Sequence, residues 1–407
     1  MGLIGRAAET GRLHDLISGV GKAGATLILR GEPGIGKTAL LADATAFARA
    51  SGMRVLRTTG VESETHLPYA GLHQLLRPVR DSFGVLPPSQ RDALRAALGI
   101  TEGTVPEGYL AALAVLNLLA EVAEADPVLV VAEDAHWLDP STADVLAFLG
   151  RRLESEPILL LASLRDGSPA RLDEARLPAM TVPPLSAQSA EQLLDRTAAG
   201  LPAAVRRRLL SEAAGNPLAL IELPAAVRGT GGPARYDDAG GPGVLAHPWL
   251  PLTARLESAF TRRFAVLPAA TQAALEAAAL NDSADLAETL AAASLLTGTA
   301  VTTGDLLPAV DARLIEPGEH RLTFHHPLVR SAIHQGTDPG RRRAVHRALA
   351  GVLTEHPDRR TWHLAAASDR PDEGVAAALE AVAVRAQRRG SGAAVVTALE
   401  QAARLSP

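Results

Sequence analysis

The sequence predicts an α/β fold in its first half, a parallel sheet wrapped by helices, and a mainly helical second half. Three observations carry that prediction. Short apolar runs alternate with helical periodicity up to about residue 165. A glycine-rich run, Gly31 to Thr38, stands between the first such strand and the first such helix. After Pro183 the strand-like runs give way to short helical stretches broken by Gly and Pro.

The predicted strands are 26–30, 54–58, 128–132 and 158–163. Each is apolar on both faces rather than alternating, as buried parallel strands are. Helical periodicity marks 39–50, 107–125 and 143–153, the last introduced by Pro140 and Ser141, a helix start signal. These elements make up a predicted first domain, 1–185. Residues 186–250 read as short helices followed by a Gly/Pro-rich linker at 228–248. Residues 251–336 read as a compact helical region with one hairpin turning at Pro317-Gly318. From 337 to 407 the amphipathic stretches 341–354, 360–367, 373–388 and 393–405 read as helix pairs. They predict the start of a solenoid that continues beyond Pro407.

Composition narrows the function. The chain has 407 residues, room for two or three domains with real cores. A net charge of −5 gives no support to bulk nucleic-acid binding. With no cysteine, disulfides, thiolate catalysis and cysteine-ligated zinc are excluded, and a cytoplasmic location is expected. No apolar signal core follows MGLIGRAAET, and the longest apolar runs are one strand long, so no membrane partner is expected.

Only two lysines, Lys22 and Lys37, stand against 38 arginines. Lys37 lies in GEPGIGKT, which fits G-x-x-x-x-G-K-[ST] between a strand and a helix. Glycines at 31, 34 and 36 let backbone N–H groups converge on phosphate oxygens. The following helix turns its positive end toward the same anion. A compact ammonium at Lys37 reaches the outer phosphates, and the Thr38 hydroxyl suits Mg²⁺. Gly31, Gly34, Ile35, Gly36, Lys37, Thr38 and Ala39 are therefore the candidate nucleotide-binding residues, with ATP or ADP and Mg²⁺ as ligands. The bland alternative is a glycine-rich turn before an amphipathic helix.

The strand at 128–132 ends in Glu133-Asp134. A neighbouring strand that ends in a carboxylate is placed to hold Mg²⁺, with a second acid polarising water. Asp134 is the first choice for the metal; Glu133 is the alternative, or the water-polarising partner. Arg165, after the next strand, reads either as a sensor of the γ-phosphate or as a salt-bridge partner of Asp166 or Asp173. His136 and Trp137 read as packing residues.

Together, Gly31 to Thr38, AEDAHWLDPST and LLLASLRD resemble the nucleotide-binding module of signal-transduction ATPases with numerous domains, an AAA+-like branch of the phosphate-loop proteins. With LIGRAAETGRL, GVESETHLPYAGLHQLLRPV and LTFHHPLVRSAIH, essentially the whole chain resembles the large ATP-binding regulators of the LuxR family. The resemblance implies a P-loop NTPase sheet with a helical lid, a winged-helix domain and the start of an α-helical repeat array. It implies that Pro217 of GNPLAL packs on adenine, that Gly5 and Arg6 lie near the base, and that His326, or else His325, touches a β-phosphate. Read without the family, GNPLAL is a turn or helix start, and Gly5-Arg6 a helix-leading turn. It further implies an inducer, small molecule or protein, at the helical array, self-association in the ATP state, and DNA contact only through a domain absent from this chain. Glu133 departs from the family's usual aspartate, so slow hydrolysis is expected.

The leading expectation is a nucleotide-operated switch of a transcriptional regulator with weak ATPase activity. Its main rival is a working AAA+-type ATPase that couples hydrolysis to remodelling. A third reading makes the winged-helix region a direct DNA reader.

Overall fold

The computed structural model describes residues 2–62, 65–101, 108–168, 170–228, 252–281, 283–316 and 318–406. Pro317 of the expected turn and residues 229–248 of the expected linker lie outside them. The chain divides into two compact units, Met1–Pro183 with Glu380–Glu400, and Pro184–Leu379 with Gln401–Pro407.

The first unit is built on a five-stranded parallel sheet of order β2-β3-β4-β1-β5. Its strands are β1 (Ala25–Gly31), β2 (Arg54–Thr59), β3 (Val128–Glu133), β4 (Ile158–Arg165) and β5 (Ala179–Thr181). Burial follows position in the sheet. All six residues of β3 are buried, and seven of eight in β4. The edge strands β2 and β5 keep residues at the surface, because helices cover the middle of a parallel sheet better than its rims. One face packs on α1 (Ala7–Gly19) and α2 (Lys37–Ala50), with Leu13, Ile17, Leu40 and Leu41 against Leu27, Leu29, Val131 and Leu161. The other packs on α3 (Ala70–Leu76), α4 (Pro88–Ala97), α5 (Gly108–Ala123) and α6 (Pro140–Gly150). There Leu72, Leu94, Val115, Leu118 and Leu146 meet Val128, Val130 and Leu160. The four expected strands and three expected helices all form. Unanticipated were β5, the helices α3 and α4, the 3₁₀ segment Arg77–Val85, and the short helix α7 (Arg171–Glu174) after β4.

A buried carboxylate fixes the region beyond β3. Asp139 caps α6, accepting from the Thr142 N–H at 2.9 Å and its hydroxyl at 2.6 Å. It also accepts from the N–H groups of Tyr69 at 2.8 Å and Gly71 at 3.1 Å, at the start of α3. One side chain therefore satisfies helix-start donors on two elements about seventy residues apart.

The second unit is almost entirely helical. Three short helices come first: α8 (Ala187–Thr197), α9 (Ala203–Ala213) and α10 (Pro217–Arg228). Next are α11 (Leu252–Ala265), α12 (Ala269–Leu280), α13 (Leu286–Thr297) and α14 (Leu307–Asp311). A two-stranded antiparallel hairpin follows, β6 (Ile315–Glu316) with β7 (Thr323–Phe324). Then come α15 (Pro327–Gly336), α16 (Pro339–Val352) and α17 (Pro357–Ala367). The last two helices of the chain are α18 (Glu373–Arg388) and α19 (Gly392–Leu405), whose stretch Glu380–Glu400 is counted with the first unit. Small side chains let these helices approach: Ala277, Leu280, Ala292, Val345, Ala348 and Leu349 join α12, α13 and α16. No helix among the described residues is long and apolar enough to cross a membrane.

Asp139→Ala strands three buried N–H donors and one hydroxyl. It is expected to cost about 3 kcal/mol or more in urea unfolding. A loss below about 1 kcal/mol would contradict the role given to this cap.

Candidate nucleotide-binding site

The site lies at the carboxyl ends of β1, β3 and β4, where an open parallel sheet presents its loops. β1 ends at Gly31, paired in register with Arg165 of β4. The loop that follows turns through Gly34 at φ 77° and Gly36 at φ 104°, backbone that only glycine adopts without strain. Ile35, 1% exposed, pins the loop to the core between them.

Gly36 is the N-cap of α2, and no side chain caps that helix. Its first-turn N–H groups and positive dipole end are thus left for an anion. Thr38 and Ala39 lie exposed on this turn. Lys37 folds back beneath the loop, its ammonium donating to the Gly31 carbonyl at 2.7 Å and the Glu32 carbonyl at 2.9 Å. Burial holds its pKa below the ordinary lysine value, with Asp134 and Asp166 opposing the shift and Arg165 adding to it.

The two acids at the end of β3 part company. Glu133 is buried and ion-paired with Arg57 of the neighbouring β2. Asp134 adopts a left-handed conformation, φ 45°, and donates its N–H to the Ser163 hydroxyl of β4 at 2.9 Å. Burial pushes its carboxyl up to about 6, against the pull of Lys37 and Arg165, and Glu133 adds repulsion. A half-buried acid beside one lysine, next to an uncapped helix start, fits a hard divalent cation that brings the missing positive charge. Thr38 and Asp134 are the residues that would hold it. Bound there, Mg²⁺ would supply positive charge against phosphate. His136, two residues on, has its pKa lowered to about 4 by burial and by the cations Lys37 and Arg165.

Arg6, expected near the base, is 4% exposed. It donates to the Ile35 carbonyl at 2.8 Å and the Pro183 carbonyl at 2.7 Å, with Glu9 at 3.3 Å. The guanidinium thus ties the phosphate loop to the segment leaving β5. Gly5 precedes it at φ 68°. Gly31, Ile35, Lys37, Asp134 and Arg165 are therefore brought together in one unit. Asp173 pairs with Arg30, so it is not an ion partner for Arg165.

Pro217 and His326 belong to the second unit. Pro217 is the first residue of α10. Before it, Gly215 sits at φ 75° against Leu185, and Asn216 caps the helix by accepting from the Ala219 N–H at 3.3 Å. His326 is the N-cap of α15, its Nδ1 accepting from the Leu328 N–H at 3.0 Å, while His325 pairs with Glu316 at 3.3 Å. Sequence reasoning missed Arg57, Ser163 and Asp139. Only the last carried a local signal, Asp139-Pro140 at a helix start.

Asp134 has a folded pKa raised above its unfolded value. The fold therefore penalises its charged form, fully above about pH 6 and not at all below about pH 4. Asp134→Asn is expected to stabilise the nucleotide-free protein by about 1 kcal/mol or more at pH 7.5. That gain should vanish as pH falls from 6 to 4, as read from urea melts across pH. A gain that grows in acid would contradict the buried, resisted charge.

Residues 2–161 match the family described as AAA ATPase domain. An uncharacterised protein of Rhizobium meliloti (strain 1021) is 29% identical over 40% of this chain. Among solved structures, the fold is similar to a signal transduction ATPase with numerous domains (STAND) that has a tetratricopeptide repeat sensor, from Pyrococcus horikoshii. That match has a TM-score of 0.56 at 14% identity and covers 98% of this chain. The chain spans 18% of the Rhizobium protein and 58% of the Pyrococcus one. The Walker-type ATPase of Pyrococcus abyssi is a distant match, with a TM-score of 0.34 at 12% identity, covering 81% of this chain and 96% of its own. Residues 2–161 are thus similar to an AAA ATPase domain, and the fold of the chain, a parallel-sheet core followed by a helical region, is similar to that of the Pyrococcus horikoshii structure.

Proposed function

We propose that this chain binds Mg²⁺–ATP on the loop Gly31 to Thr38, hydrolyses it, and passes the resulting change to its helical half through the chain that leaves β5 at Pro183. The observation that carries this reading is the uncapped start of α2 set beside buried Lys37, whose ammonium lies under the loop on the Gly31 and Glu32 carbonyls. Each feature is unfavourable in isolation, and each is relieved by a polyphosphate with its cation. In this reading Gly34, Gly36, Lys37, Thr38 and Ala39 hold phosphate, Asp134 and Thr38 hold Mg²⁺, and Arg165 faces the terminal phosphate. Glu133 orders water only when Arg57 releases it.

The AAA family match favours a working ATPase, the rival in the sequence reading, over a transcriptional switch. A remodelling role follows from that class. The switch keeps one specific support, the fold likeness to a STAND protein with a repeat sensor. Membership of the LuxR family, the inducer at the array, self-association with ATP, and the contacts of Pro217 and His326 with nucleotide rest on the sequence resemblance. So does the winged-helix reading, to which the order of α12, α13, α14 and the β6–β7 hairpin is suited.

Steady-state phosphate release tests the main reading. Wild-type protein is expected to turn over ATP with Mg²⁺ and not with EDTA, and Lys37→Ala to lose at least about tenfold in ATP affinity. Bound nucleotide with negligible turnover would favour the switch. Unchanged affinity in Lys37→Ala would remove the loop as the site.

A further inference from the structure

We propose that the basic face formed by α3 and the 3₁₀ segment Arg77–Val85 is a docking surface for an acidic peptide segment that carries one aliphatic side chain. The face lies within the first unit and does not depend on the reading of the glycine-rich loop. His73, Arg77 and Arg80 follow one another at spacings of four and three, along one side of a helix. All three are exposed, and all three line a single recess. Its apolar lining comes from buried Leu76 and Phe83 and from half-buried Leu98 and Ile100, just past α4. A further guanidinium adjoins it. A Cβ on Gly99, between Leu98 and Ile100, would lie 3.4 Å from Nη2 of Arg389.

The charge on this face is unbalanced. Among the described residues Arg77 and Arg80 form no ion pair, and Asp81, next in the chain, pairs with neither. Desolvation, then Arg80 and Arg77, holds the His73 imidazole below its ordinary pKa, so the guanidinium groups supply the charge at pH 7. Their planar forks match carboxylates. A merely solvated cationic face has no need of an apolar recess within it; here the two coincide. The recess holds about 20 Å³, room for one methyl-sized group and far less than a small-molecule site requires. That selects a side chain of a peptide over a free ligand. Nucleic acid is disfavoured as well, because the phenyl ring of Phe83 is buried and offers no face on which a base could stack. The helix that presents the face is fixed at both neighbours. Asp139 holds the N–H groups of Tyr69 and Gly71, and the Gln74 Oε1 accepts from the Thr59 N–H at 2.9 Å and the Thr58 hydroxyl at 3.1 Å. Docking therefore costs little ordering on this side.

Fluorescence anisotropy of the full chain with a labelled peptide tests the assignment. The probe has about twelve residues, all Asp or Glu except one central leucine, at about 50 mM salt. Wild-type protein is expected to bind it with a Kd below about 100 μM. Arg77→Ala combined with Arg80→Ala should weaken it at least about tenfold, whereas Arg151→Ala, at the end of α6, should stay within about twofold. Ile100→Ser, or serine in place of the probe's leucine, should cost at least about threefold. If Ile100→Ser melts early, the change in the probe reads the recess without touching the fold. No binding at about 1 mM probe overturns the proposal, and so does an affinity indifferent to both arginines. Equal binding of the leucine-free probe, or of a single-stranded DNA of about twelve nucleotides, would make the face a general polyanion site and would overturn it too.

Discussion

A single buried ammonium organises the sheet edge. The Lys37 side chain lies under its own loop and draws the carbonyls of Gly31 and Glu32 inward. With those carbonyls turned to the lysine, the loop keeps its N–H side for the cleft, and the start of α2 points the same way without a cap. Two glycines at positive φ make the path possible. Arg6 holds the loop from behind by the Ile35 carbonyl, so the loop's path is fixed within the fold itself. Arginine fills nearly every other cationic position in this protein. Here its planar head would not fit between two carbonyls on so short a turn.

The acids beyond β3 show how a neighbouring strand divides two adjacent carboxylates. Glu133 ends the strand and is captured by Arg57 from β2. Asp134 leaves the strand in a left-handed turn and feels Lys37 instead. The first charge is neutralised within the fold, whereas the second stays raised and available. A carboxylate locked in an ion pair is a poor base, so under the proposed reading the contact between Arg57 and Glu133 would slow hydrolysis.

The sequence made the middle of the sheet legible because buried parallel strands read as continuous apolar runs, as in Val128–Glu133 and Ile158–Arg165. The glycine-rich turn before α2 was legible because its glycines and lysine stand at fixed spacing. β5 was not, since three residues with only Met180 buried leave no period to detect. Nor was the partner of Glu133, which lies on the adjacent strand at Arg57, or the reach of Asp139 to Tyr69 and Gly71. Those contacts exist only once the sheet has formed. Arg6 is a milder case. The resemblance implied a place near the base, whereas its use as a clamp on Ile35 and Pro183 required coordinates.

The central claim is that the N–H groups at the start of α2 face phosphate. Hydrogen exchange of the peptide spanning residues 31–41 measures this directly. Addition of Mg²⁺–ATP should slow exchange at Gly34 to Ala39 by at least about tenfold, while adenosine alone leaves it unchanged. Equal exchange with and without Mg²⁺–ATP, at concentrations where nucleotide is bound, would contradict the account.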